Sequence, residues 1–209
     1  MNPMEKVLEL MKLGQQLKEE LRHSWLPSGR RESVAEHTWS VALMAMALEP
    51  YLSKGVNMER LLKMVVIHDL VEAHARDIPL FYTMDDEEAK ALKYQNEVKA
   101  IEQIRDMLGG EHGQAFYDLW MEFEHKETYE AKVVNALDKL EAQVQQNEAD
   151  IRTWLPIEHQ MVYMLGQHTE FDPALDELRQ LVEEEGEKKL LAAAIDITKL
   201  KNPEVQDGM

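Results

Sequence analysis

Eight consecutive residues constrain the fold of this chain more than any others: Val65-Val66-Ile67-His68-Asp69-Leu70-Val71-Glu72. They lie inside an apolar segment running from about Leu61 to Ala75, and a helix hydrophobic on nearly all sides belongs at the centre of other helices. An imidazole and a carboxylate buried side by side there are costly unless each finds a partner. A metal ion satisfies both, because neutral imidazole and carboxylate are common metal ligands. Glu72, four residues after His68, is expected on the same helical face, about 5–6 Å away between Cβ atoms. The competing reading is a core histidine bonded to a backbone carbonyl, with Asp69 turned to water.

The rest of the chain reads as further helices. Met4, Val7, Leu10, Leu13, Leu17 and Leu21 recur at three- and four-residue steps, which predicts an amphipathic helix ending near Arg22. Pro27-Ser28-Gly29 marks a loop from Arg22 to Arg31 that carries Trp25, three arginines and His23. Loops beside rigid helices often bind ligands, so Arg22 and Trp25 are weighed against a solvated, purely structural role. Ser33-Val34-Ala35-Glu36 fits a capping box, which gives Glu36 a structural task and places His37 in the helix that follows. The methionines of that helix, Met44 and Met46, read as core.

The central helix should run from about Met58 to Arg76, where Asp77-Ile78-Pro79 stops it. Asp85-Asp86 can cap a long charged helix that Gly109-Gly110 closes, followed by a helix over 111–124. Thr128 opens the next, with Asp138 embedded in its apolar row; a boundary residue paired with Lys139 or Arg152 is the alternative for Asp138. Later signals are weaker: Ile157 to Gly166, then Asp172-Pro173 opening a helix to Gly186, then Leu190 to Leu200. Asn202 to Met209 reads as a loose tail. No stretch gives a strand or hairpin signal, so an all-α fold is expected, in one domain spanning the 209 residues.

The buried-looking ionisable groups are His37, His68 with Asp69, and Asp138, on three different helices. The chain has no cysteine, so any metal site uses His, Asp, Glu or water. Two imidazoles and two carboxylates leave open octahedral positions, which suits Mn, Fe, Co, Ni or Mg better than a closed structural zinc site. Open positions that admit water are what hydrolysis requires. Lys plus Arg number 23 against 40 Asp plus Glu, a net charge of -17 that repels DNA, RNA and anionic membrane surfaces. It leaves room for a small anionic substrate, since a cation inverts the local field. No basic N-terminal region followed by an apolar run reads as a signal peptide, and there is no run of eighteen apolar residues, so the expected setting is cytoplasmic.

These residues also carry a resemblance. Glu32-Ser33-Val34-Ala35-Glu36-His37, His68-Asp69-Leu70-Val71-Glu72, Asp77-Ile78-Pro79, Leu119-Trp120 with Glu122 and Glu124, and Glu130-Ala131-Lys132 running to Asp138-Lys139-Leu140-Glu141 resemble the HD-domain metal-dependent phosphohydrolases. Within them the chain is similar to the 5′-deoxynucleotidase-like branch, over roughly residues 5 to 150. The resemblance implies an HD-domain helical bundle (core about 5–150), with a C-terminal helical extension over 151–201, acting as a homodimer on a nucleotide substrate. It implies hydrolysis of (deoxy)nucleoside 5′-monophosphates by attack of a water held on one divalent metal ion, drawn from Mn, Co, Ni, Fe, Mg or Zn. The implied metal ligands are His37, His68, Asp69 and Asp138. The implied catalytic acids are Glu72 and Asp77, and the implied substrate-binding pair is Arg22 and Trp25.

Two positions depart from the family phrases: Arg76 and Ser24 each stand where glycine is usual. Both fall near the implied substrate, and Arg76 is expected to crowd the sugar or add a phosphate contact. Competing readings are another HD chemistry, a phosphodiesterase or dNTP hydrolase drawing on His74, His112 or His125, and a catalytically silent nucleotide-binding module.

Overall fold

One helix, α7 (Tyr129–Glu148), is where the packing converges. Val133, Val134, Ala136, Leu137 and Leu140 on it are all inaccessible to solvent or nearly so. Around it lie α2 (Val34–Leu48), α3 (Met58–His68), α6 (Gly110–His125), α9 (Gly166–Thr169) and α10 (Pro173–Ala192). α1 (Pro3–Gln16), α4 (Glu72–Ala75) and α5 (Glu87–Leu108) form an outer group against one another, and α5 lies along α6. Two short helices, α8 (Pro156–Met161) and α11 (Thr198–Lys201), touch each other near the C-terminus. The computed structural model describes residues 2–84 and 86–201; the tail expected over 202–209, and Asp85 of the Asp85-Asp86 cap, lie outside the described residues. Among the described residues no helix is long and apolar enough to cross a membrane.

The all-α expectation holds, with one addition: a two-stranded antiparallel hairpin, β1 (Leu21–Trp25) and β2 (Arg31–Ser33), occupies the stretch read as a loop. It pairs Leu21 with Ser33 and Trp25 with Arg31, so three residues on β1 oppose Glu32 alone on β2. Such a bulge removes the strict alternation by which a strand is recognised in sequence. Helix α1 therefore stops at Gln16, short of the expected Arg22. The chain then leaves the hairpin through the capping box foreseen at Ser33 and Glu36, with bonds in both directions. On α2 the buried face is Val34, His37, Val41 and Ala45. Met46, expected in the core, is exposed together with Trp39 and Leu43.

The central helix is shorter than its apolar run. α3 ends at His68, whose carbonyl accepts the Trp120 indole N–H at 3.1 Å. The Glu72 N–H, which a continuing helix would aim at that carbonyl, donates to the Asp69 carbonyl instead (3.0 Å). Leu70 and Val71 are buried across this break, so hydropathy does not reveal it. The one turn of α4 then closes at Arg76, whose backbone sits at φ 69°, ψ 153°. Glycine alone adopts this region without strain, and another residue there costs about 1–3 kcal/mol. Replacing Arg76 with glycine is therefore expected to stabilise the protein by about 1 kcal/mol, after allowing for glycine's greater freedom when unfolded. Thermal denaturation of the two proteins side by side reads this, and a lower midpoint for Arg76→Gly would count against the strain.

The segment after residue 150 joins the same core, since Leu165, Leu175 and Val182 are buried in one cluster with the residues of α2, α3 and α7. Asp172 fastens it. Its carboxylate accepts from the Ser53 backbone (2.9 Å), the Tyr129 hydroxyl (2.6 Å) and the Ala174 N–H (3.0 Å). Burial alone would raise this carboxyl, but these bonds outweigh it and bring it down to about 2. Helix α10 continues through Gly186, where it was expected to end. A Cβ at that position would meet Val162 Cγ1 at 3.0 Å and Asn147 Oδ1 at 3.1 Å, so the glycine admits close packing.

Candidate metal centre and substrate cavity

Three helices deliver the candidate ligands. His37 comes from the first turn of α2, directly after the capping box, His68 and Asp69 from the end of α3, and Asp138 from the middle of α7. The ligand atoms of His37, His68 and Asp69 all lie within 4.8 Å of one another. His68 Nε2 is 3.2 Å from Asp69 Oδ2, and His37 Nε2 is 3.7 Å from the same oxygen and 3.1 Å from Asp138 Oδ1. Two ligands adjacent on an ion, each about 2.1 Å from it, lie about 3 Å apart, so these spacings suit a shared cation.

The tautomers favour the same conclusion. His68 Nδ1 lies 2.7 Å from the Val65 carbonyl, to which it can only donate. His37 Nδ1 is hydrogen-bonded to the Glu141 carboxylate. With Nδ1 of each ring turned to an acceptor, each Nε2 faces carboxylate oxygens and is the atom left to ligate an ion. His68 Nε2 and Asp69 Oδ2 are buried without a hydrogen-bond partner. Imidazole nitrogens and carboxylate oxygens gathered in this way are a donor set that suits a divalent ion. Without such an ion, burial and the Arg22 charge push His37 downward, but its bonds to Asp138 and Glu141 prevail and raise it to about 9.

A cavity opens beside these ligands, lined by Asp69 and Asp138 and also by Arg22, Glu72, Asp77 and Lys93. Arg22 reaches Asp69 Oδ2 at 3.6 Å and Glu32 Oε2 at 3.5 Å. Burial raises the Glu72 carboxyl well above the ordinary carboxylate range, and the charges of Asp69 and Asp77 add to it. Asp77 is likewise raised by burial, with Asp69 adding and Arg22 opposing. Glu32 is pushed up to about 7, by burial first and then by Glu141. The buried side-chain atoms without a hydrogen-bond partner, among the described residues, belong to Arg22, His23, Ser24, Glu32, His68, Asp69 and Glu72. All of them stand at this one place, and unsatisfied polar atoms in a folded protein need a reason.

Most of the residues singled out in the sequence are thus brought together: His37, His68, Asp69, Asp138, Glu72, Asp77 and Arg22 share one site. Trp25 is not among the lining side chains. Its ring stands edge-on to His23 at 4.7 Å, and its carbonyl accepts from Gln145. Arg76 is exposed and does not line the cavity, whereas Ser24 does, with its hydroxyl unpartnered. Glu32, Glu141, Lys93 and Lys139 went unassigned in the sequence. Glu32 and Glu141 sit within the quoted phrases, but periodicity cannot say that both meet one histidine. Lys93 lies on a charged helix where a solvated face was the natural reading.

The HD-domain pattern matches residues 14–179. The chain belongs to the HD-domain family. It is 35% identical over 152 residues to 5′-deoxynucleotidase HDDC2 of Dictyostelium discoideum, covering 69% of this chain and 78% of that protein. It is 31% identical over 144 residues to 5′-deoxynucleotidase HDDC2 of Homo sapiens, covering 68% and 67% respectively. Among solved structures it resembles a predicted metal-dependent phosphohydrolase from Magnetospirillum magnetotacticum MS-1. That match has a TM-score of 0.77 and 27% sequence identity, over 92% of this chain and 98% of the other.

Proposed function

We propose that this protein is a metal-dependent phosphohydrolase that removes phosphate from (deoxy)nucleoside 5′-monophosphates. The observation that carries the reading is the convergence of His37, His68 and Asp69, with Asp138 against His37, beside a buried arginine and two elevated carboxyls at a single cavity. The relatives called 5′-deoxynucleotidase support the substrate class. A divalent ion at the four ligands (Mn, Co, Ni, Fe, Mg or Zn) would supply Lewis acidity and ease deprotonation of water.

The chain's own residues do the rest. Arg22 offers a forked donor to the phosphate oxygens from within the cavity. Glu72, buried and elevated, takes a proton from the attacking water. Asp77, also elevated, gives one to the leaving 5′-oxygen. Glu141 holds the His37 ring by Nδ1, which leaves Nε2 to the ion that the ligands would hold, and Trp25 acts on the substrate through His23. The net charge of -17 keeps polynucleotides away, while a mononucleotide meets the local field.

A homodimer in the cytoplasm, where free mononucleotides are found, completes the reading. Trp39, Leu43 and Met46, spaced along one face of α2, together with Val66 of α3, are its supporting surface, because all four are exposed. Sedimentation equilibrium would decide between one copy and two.

The direct test is phosphate release from the common mononucleotides with Mn, Co, Ni or Mg present. Release from none of them, with metal bound, would leave a nucleotide-binding module. A narrower expectation concerns Glu141, which touches neither ion nor substrate. Glu141→Ala frees the His37 ring and should weaken metal affinity about 10–100-fold, measured by titration of the metal-free protein. Unchanged affinity would mean that the ring is held by packing alone.

A further inference from the structure

Two of the buried unpartnered atoms are not explained by an ion or a phosphate: Ser24 Oγ and His23 Nε2. Both line the cavity together with Arg22. In a regular strand Arg22 and Ser24 would face one way and His23 the other. The bulge opposite Glu32 cancels that alternation and turns all three side chains to the same space. Ser24 is 7% exposed, so its hydroxyl is sequestered from bulk water yet bonded to nothing.

Facing them from the C-terminal segment is Glu158, 4% exposed, which also lines the cavity. Its Oε2 caps α8 by accepting the Leu155 N–H at 2.5 Å, which leaves Oε1 directed at His23 Nε2 across 3.5 Å. His23 is wedged edge-on between Trp25 and Phe81, with ring centroids 4.7 and 5.0 Å away. Phe81, Met161, Met164 and Leu165 provide apolar walls. A few fixed polar atoms within an apolar lining is the usual means by which a pocket orients a flat ligand.

The geometry points to a base-reading subsite formed by His23, Ser24 and Glu158, which selects nucleobases bearing an exocyclic amino group. This rests on the nucleotidase reading above. The chemistry follows from Glu158 Oε1, which can only accept when the carboxyl is ionised; burial raises that carboxyl, and its bonds to the Leu155 N–H and the Gln146 side chain act against the rise. Adenine, cytosine and guanine offer it amino N–H donors. Thymine and uracil carry a carbonyl oxygen where cytosine carries its amino group, and two facing oxygens repel. Ser24, able to donate and accept, and the neutral imidazole of His23 then satisfy neighbouring ring positions. Burial, and next the charge of Arg31, lower the His23 titration and keep that ring neutral.

The test is kcat/KM for the 5′-monophosphates of deoxyadenosine, deoxycytidine, deoxyguanosine and thymidine, each divided by the value for base-free deoxyribose 5-phosphate in the same protein. The wild type should favour the three amino-bearing substrates over thymidine monophosphate by about tenfold or more, the worth of a hydrogen bond to a charged acceptor. In Glu158→Gln the amide oxygen stays on the Leu155 N–H and the NH2 turns to the cavity. The preference should then invert toward thymidine. Ser24→Ala should lower the ratio for every base-bearing substrate a few-fold. Equal treatment of all four bases by the wild type, or ratios unmoved in Glu158→Gln, would overturn the subsite. If none of the five compounds releases phosphate, the nucleotidase reading has failed. Calorimetric binding of the same four nucleotides then decides the subsite on its own: an amino preference that inverts in Glu158→Gln upholds it, and uniform or absent binding removes it.

Discussion

Asp138→Ala should strip most of the metal from the protein and lower kcat/KM by about three orders of magnitude, with helical content retained. The magnitude follows from losing an ion whose Lewis acidity is worth several kcal/mol, each 1.4 kcal/mol being about tenfold. Asp138 Oδ1 stands 3.1 Å from His37 Nε2 and Oδ2 stands 2.8 Å from Lys139 Nζ. Although burial opposes it, the Lys139 charge and the His37 bond hold this carboxyl well below the usual range, so it is present as an anion ready to ligate. Removing it also leaves Lys139 without its partner. That side chain keeps some access to solvent, so the loss of stability should be modest, about 1–2 kcal/mol. Elemental analysis after gel filtration gives the metal content, and circular dichroism gives the fold. Full occupancy with full activity would return Asp138 to the role of a simple partner for Lys139.

Glu72→Gln should have the opposite profile, with metal content unchanged and turnover lower by about two orders of magnitude or more. Glu72 is buried and its Oε2 lacks a partner, so glutamine replaces it with almost the same shape and no charge to bury. Stability should therefore hold or rise slightly, because an elevated carboxyl that must ionise is a burden to the fold. KM should change little, since the proposed grip on the phosphate is that of Arg22 and not of Glu72. A fall in KM and kcat together, or undiminished turnover, would shift proton transfer to Asp77, whose carboxyl is also raised by burial. Asp77→Asn would then carry the large loss.

The helices and the residues that meet at the candidate site were legible because each candidate ligand interrupts an apolar face. His37 lies between Val34 and Val41, and Asp138 between Leu137 and Leu140, where an unpaired polar group is hard to accommodate. The hairpin was not legible. A bulged strand such as Leu21–Trp25 has no period of two, and an arginine, a histidine and a serine in succession look like a loop. The break after His68 was hidden for a different reason. Leu70 and Val71 prolong the apolar run, and the cause of the break is a tryptophan N–H from a helix some fifty residues away in sequence. Glu72 still arrives at the site, but by a turn around Asp69 and not by its place on a continuous helix. Substrate contacts were the least legible. Arg76 and Ser24 looked equivalent as departures from the family phrases, and only the backbone shows that one points to solvent and the other into the cavity.

The three-helix origin of the ligands has a thermodynamic consequence. An ion held by His37, His68, Asp69 and Asp138 would act as a cross-link between α2, α3 and α7, closing two long stretches of chain that are free in the unfolded state. Because the unfolded chain has no such site, the ion's binding energy becomes folding energy. Free metal at a hundred times its dissociation constant would add about 2.7 kcal/mol to the stability of the fold. The melting temperature would then rise with the logarithm of free metal concentration. Chelation would loosen the helices that carry His37 and Asp138 before it disturbed the outer group of α1, α4 and α5, and protein turnover in a metal-poor cell would be set at the same place as catalysis.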